Sequence, residues 1–147
     1  MKAHENILVF YKKLPTYNPQ MTKGEAYSNS HSPGDSGSNY GADGYSSVCN
    51  VTTRYPRDVQ FFSVDMKAEF HPTQKPVALF EYLIKTYTNP GEIVLDNCMG
   101  SGTTAIACMN TQRNFIGFEM DKGYYDIACK RIEDHKDKVE VASSGRR

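Results

Sequence analysis

The 147-residue sequence has no surplus of either charge, with 17 Lys and Arg set against 17 Asp and Glu. That balance excludes a broadly basic nucleic-acid-coating protein and an acidic disordered chain alike, so any nucleic-acid contact has to come from local patches. Cysteine is sparse. Cys49, Cys98, Cys108 and Cys129 form no C-x-x-C pair and lack the close spacing of a zinc site or a disulfide framework, so reduced thiols in a cytoplasm are the simplest account. His4, His31 and His135 have no ligand partners at metal spacing and are expected at the surface, with no metal site. Long apolar runs are missing too. Met1 to Phe10 places His4 and Glu5 before a short apolar stretch, which is neither the hydrophobic region of a signal peptide nor a membrane span. A soluble intracellular protein with no membrane partner is expected. The length fits one domain, or part of one, and is shorter than most complete two-substrate enzymes require.

The sequence divides into four stretches. In residues 1–15 the run Ile7-Leu8-Val9-Phe10-Tyr11, bounded by charge and by Pro15, predicts a buried strand over Glu5 to Lys12. Residues 16–57 change character. Thr22 to Asn50 holds seven Ser, five Gly and three Tyr with Val48 as its only large aliphatic residue, which predicts a long flexible loop. Residues 58–138 recover periodicity. Asp58 to Val64 predicts a second strand, and Val77, Phe80, Leu83, Ile84 and Tyr87 predict a helix stopped by Asn89-Pro90-Gly91. Glu92 to Asp96 and Asn114 to Glu119 are apolar strands that end in carboxylates. Between them lie a glycine turn and a short helix, Thr103 to Met109, and after them Asp121 caps a further helix through Ile132. This βαβα order predicts a parallel sheet covered on both faces. Residues 139–147 predict a polar, frayed tail.

The turn Asp96-Asn97-Cys98-Met99-Gly100-Ser101-Gly102-Thr103-Thr104 joins a strand end to a helix start, where open α/β sheets bind ligands. Its glycines let backbone amides approach a bound group, the helix start offers N–H donors to an anion, and Asp96 can hold a cationic amine. Seventeen residues past Gly102, Glu119 is placed to accept from a ribose diol. An amino-acid head beside a nucleoside describes S-adenosylmethionine. The loose dinucleotide fingerprint Gly100-x-Gly102-x-x-Ala105 keeps a nicotinamide or flavin reading open, and a turn without function is the third reading.

The sequence resembles the amino-methyltransferases that act on the exocyclic amine of adenine or cytosine in DNA, in their permuted β arrangement. His71-Pro72-Thr73-Gln74-Lys75-Pro76 and the helix after it look like motif X, DNCMGSGTT from Asp96 like motif I, and FIGFEMDKGYYDIA from Phe115 like motif II, in the order that arrangement requires. AHENILVFYKKLPTYNP from Ala3 is similar to the motif VIII strand and its following tract. The resemblance implies an α/β, Rossmann-like, S-adenosylmethionine-dependent methyltransferase fold. It implies that Asp96, Gly100, Ser101, Gly102 and Thr103 surround the methionine part of the cofactor, that Thr73 and Lys75 close on it, that Glu119 takes the ribose, and that Met120 packs on the adenine. Asn97 and Cys98 stand where the family usually has Pro and Phe, which alters the pocket wall; Cys98 as a nucleophile has no activating neighbour to support it.

The family's catalytic tetrapeptide is Asp, Asn or Ser followed by Pro-Pro and an aromatic, and no such string occurs. Tyr17-Asn18-Pro19-Gln20 comes nearest and sits after motif VIII, so no residue is assigned to catalysis. The implied fold is incomplete, with the central strands and catalytic motif missing, as in an enzyme cut off on its N-terminal side. DNA and a complementing N-terminal methyltransferase segment are the expected partners. Tyr17, Tyr27, Tyr40, Tyr45 and Tyr55 with Lys23, Arg54 and Arg57 give the loop a means of stacking bases and touching phosphates, against the alternative of a plain linker. The implied setting is the cytoplasm of a bacterial or phage-infected cell. Two rivals are a non-catalytic prophage or restriction-modification remnant and a nucleotide-dependent oxidoreductase.

Overall fold

The structure, a computed structural model, describes residues 4–24, 52–63 and 74–144. The chain divides into two compact units, one of residues 1–18 with 61–147 and one of residues 19–60. In the smaller unit Thr22–Lys23 (β1) pairs antiparallel with Thr53–Arg54 (β2), Thr22 opposite Arg54. The Gly24 amide extends the ladder to the Thr52 carbonyl at 2.7 Å. Threonine's branched Cβ favours this extended backbone. The stretch expected to be loop throughout is therefore pinned at its base, while residues 25–51 lie outside the described residues.

The larger unit is built from Val77–Tyr87 (α1), Ile93–Asp96 (β3), Thr103–Asn110 (α2), Asn114–Gly117 (β4) and Lys122–Ser144 (α3). Pro76, with its φ of −60° already helical, precedes the first turn of α1 and needs no amide partner there. β3 and β4 are parallel, in register from Ile93 opposite Asn114 to Asp96 opposite Gly117. Strand alternation then sorts the side chains. Val94 and Phe115 turn to one face and pack with Val77 and Phe80 against the buried Ile84, Ala107 and Cys108. Burial pushes the Cys108 thiol up to about 11, which makes it a packing residue and an inert thiol. The other face is bare: Ile93 is 63% exposed, Leu95 64%, Ile116 49% and Phe118, just past β4, 59%. Among the described residues, the sheet expected to be covered on both faces is covered on one.

The C-terminal end of α1 leaves backbone carbonyls without helical partners. Asn18 meets them from the other end of the sequence. Its side-chain amide donates to the Lys85 carbonyl at 3.3 Å and the Thr88 carbonyl at 3.1 Å, and its backbone N–H donates to the Thr86 carbonyl at 2.7 Å. Arg113 adds a bond from Nη2 to the same Thr88 carbonyl at 2.7 Å. Tyr17 lies beside Tyr87 with ring centroids 6.3 Å apart. Asn18→Ala is expected to lower stability by about 1 kcal/mol, the worth of its side-chain bonds, as read from the urea midpoint at unchanged slope.

Three expectations are corrected. Residues 4–14 form no strand, and Leu8, Phe10 and Leu14 are exposed; a strand exists only against a neighbouring edge, and among the described residues nothing pairs with this one. Residues 58–63 form no strand for the same reason, although Phe62 packs edge-on against Tyr82 at 5.7 Å; Val64 lies outside the described residues. The expected tail is helix as far as Ser144, because no Gly or Pro interrupts the sequence between Tyr124 and Gly145. At the other end of that helix Asp121 does cap, its Oδ1 accepting from the Tyr124 amide at 3.0 Å.

Candidate cofactor-binding site

Asp96 and Glu119 stand at the carboxyl ends of the two parallel strands, and the glycine turn joins them. One Glu119 oxygen accepts from the Gly100 amide at 2.8 Å and the other from the Asp121 amide at 2.9 Å. The Asp121 and Gly100 amides hold the Glu119 carboxyl below its ordinary range, so it is a stable anion. Asp96 accepts from the Cys98 amide at 3.1 Å and from the Thr104 hydroxyl. A carboxylate has about four lone-pair sites, so each retains capacity for a ligand after these two bonds. The Met99 amide donates to the Phe118 carbonyl at 2.9 Å, which ties the turn to the end of β4 a second time.

Two glycines are explained by approach distance. Gly102 has φ +81°, and a Cβ there would lie 3.2 Å from the Cβ of Ala128, so this position both admits a left-handed backbone and lets α3 close on the turn. At Gly117 a Cβ would collide with the Met99 sulfur, so the Met99 side chain rests over this glycine and would have to shift for any other residue. Ser101, Gly102 and Thr103, expected around the methionine part of the cofactor, are buried, Ser101 at 3% exposure and Thr103 at 6%. Their side-chain oxygens face protein: Ser101 Oγ donates to Gln74 Oε1 at 2.9 Å, and Arg131 Nη1 donates to Thr103 Oγ at 3.2 Å. These positions shape the turn from behind, and its exposed side is made by Asn97, Cys98 and the half-exposed Gly100.

Lys75 is not brought to the turn by a direct bond. Its ammonium pairs with Glu5 at 2.8 Å, in an exposed ion pair of the kind that contributes little. Its neighbour Gln74, which sequence reasoning missed, makes the link between the segment before α1 and the turn. Thr73 lies outside the described residues. Met120 follows Glu119 and is fully exposed, with nothing packed on it. Among the described residues no group of His, Cys, Asp or Glu side chains is gathered for a metal, and no helix is long and apolar enough to cross a membrane.

A family model described as DNA methylase, of the N6/N4 methyltransferase type, matches residues 1–130. The chain belongs to this DNA methylase family. Its parallel β3–α2–β4 order is a βαβ unit of the α/β class. The chain is 39% identical over 93 residues to the type II methyltransferase M.HpaI of Haemophilus parainfluenzae, covering 60% of this chain and 30% of that one. It is 43% identical over 65 residues to the DNA adenine methyltransferase YhdJ of Escherichia coli K12, covering 44% of this chain and 22% of that one. Among solved structures, that of the M1.HpyAVI-SAM complex is 43% identical over 54% of this chain and 42% of that one, at a TM-score of 0.45. The chain thus spans less than a third of the length of these curated relatives.

Proposed function

We propose that this chain is the S-adenosylmethionine-binding part of a DNA methyltransferase that modifies adenine-N6 or cytosine-N4 in the cytoplasm of a bacterial or phage-infected cell. The observation that carries this is the pair of carboxylates, Asp96 and Glu119, at the ends of adjacent parallel strands with the Gly100 amide bonded between turn and strand. That arrangement fits a ligand with an ammonium group at one end and a sugar diol further along. Asp96 serves the ammonium, Glu119 the diol, and the exposed Met120 offers a polarizable face to the adenine. When bound, S-adenosylmethionine supplies an electrophilic methyl group; the residues of this chain bind and orient it.

The partner is a complementing methyltransferase segment. Parallel sheets are stable when both faces are covered, and here Ile93, Leu95, Ile116 and Phe118 leave one face apolar and open. Neither outer edge of the β3–β4 pair is joined to another strand among the described residues. More than two thirds of the length of M.HpaI lies beyond the matched region, enough for the strands and helices such a face requires. Titration calorimetry of the purified chain with S-adenosylhomocysteine and with NAD tests the cofactor reading. Binding of the former alone is expected; preference for NAD would move the protein to the oxidoreductases.

A further inference from the structure

The turn between β3 and α2 holds Gly100 at φ +54° and Gly102 at φ +81°, backbone states that glycine enters freely and leaves as freely. A cofactor turn of this kind has a defined shape only if something outside it fixes it. Glu119 fixes one side through the Gly100 amide. The other side is fixed from α3. Arg131 Nη1 lies 3.1 Å from the Ser101 carbonyl oxygen, 3.3 Å from Ser101 Oγ and 3.2 Å from Thr103 Oγ, three acceptors flanking Gly102. Ser101 Oγ passes its own hydrogen to Gln74 Oε1. One chain of hydrogen bonds thus runs from α3 through the turn to the segment that leads into α1. Ala128 stands three residues before Arg131, on the same face of α3, and is the residue against which Gly102 packs.

Stability alone gives a poor reason for a guanidinium here. It sits at the N-terminal end of α2, where the helix dipole favours negative charge, and burial lowers its pKa by penalising the charged form. We infer that Arg131 is a positioning residue: its guanidinium, through Ser101 and Thr103, fixes the left-handed Gly100–Gly102 turn in the shape that receives the cofactor. The inference rests on the reading of this turn as the S-adenosylmethionine site. Lysine cannot replace arginine in the role, because its side chain is one atom shorter and its ammonium stops near the place of the guanidinium carbon, short of the three acceptors that Nη1 meets.

The test measures S-adenosylhomocysteine affinity by calorimetry for wild type, Arg131→Ala and Arg131→Lys. Amide spectra of ¹⁵N-labelled protein report the turn in parallel. Loss of the charge-assisted contacts of Nη1 at the turn is expected to weaken binding by about tenfold or more in both variants. In Arg131→Lys the Gly100 and Gly102 amide signals should move while those of α1 stay in place, and millimolar ethylguanidinium should restore much of the affinity of Arg131→Ala. A wild-type affinity in Arg131→Lys, with unmoved glycine signals, overturns the positioning role and leaves the cofactor reading standing. Absence of binding by the wild-type chain overturns the cofactor reading itself, and this inference with it. If Arg131→Ala fails to fold, Arg131→Lys decides alone.

Discussion

Glu119→Ala is expected to weaken S-adenosylhomocysteine binding by about ten- to a hundredfold, through the loss of a charged acceptor for the sugar hydroxyls. Two effects coincide in this substitution. The ligand loses a hydrogen-bond partner, and the turn loses the contact between Glu119 and the Gly100 amide. Glu119→Gln separates them, because a carboxamide keeps one acceptor oxygen and turns the other into a donor, and its affinity should fall between the two. The same carboxylate sets a pH dependence. Its folded-state pKa is lowered by the Asp121 and Gly100 amides, so its contribution is complete above the ordinary glutamate range and is lost as pH falls through the lowered value. Affinity in the wild type should therefore stay level from neutral pH down to about pH 5 as far as this group is concerned. Calorimetry that finds equal affinity in Glu119→Ala and wild type removes Glu119 from the site.

What the sequence made legible is what depends on neighbours within a few residues. Helix α1 was readable to its ends, because Val77, Phe80 and Ile84 recur at helical spacing and Pro76 and Asn89-Pro90-Gly91 bound it. β3, the glycine turn and α2 were readable for the same reason. The strand expected over Glu5 to Lys12 was not, since its apolar run states a preference for burial and only a partner edge can grant it. Interactions across long separations were invisible. Asn18 meets the end of α1 across about 70 residues of sequence, and nothing local distinguishes it from a turn residue. In the motif X stretch the charged Lys75 drew attention, yet it pairs with Glu5, and the neutral Gln74 reaches Ser101. Charge marks chemical capacity; the direction of a side chain is settled by packing.

Alone, the chain is expected to transfer no methyl group to DNA. The target amine must be held and the base taken out of the stack, and the family resemblance assigns both tasks to a Pro-Pro tetrapeptide ending in an aromatic. None of the seven prolines of this chain is adjacent to another. The nearest string, Tyr17-Asn18-Pro19-Gln20, is committed elsewhere, since the Asn18 amide is bonded to the carbonyls that end α1. A site that binds the cofactor without gripping the amine in the transition state accelerates nothing. The assay supplies tritiated S-adenosylmethionine and mixed-sequence DNA to the purified chain, with and without a methyltransferase segment carrying the tetrapeptide. Incorporation only in the second case is the expected result, and it identifies the complementing segment as the partner. Leu95→Asp combined with Phe118→Asp should then abolish incorporation, because a charge on the apolar sheet face cannot be buried under an incoming helix, while S-adenosylhomocysteine binding should persist. Incorporation by the chain alone would overturn the proposal and direct attention to Asn18 and Pro19; none in either case would favour a non-catalytic remnant that keeps the pocket.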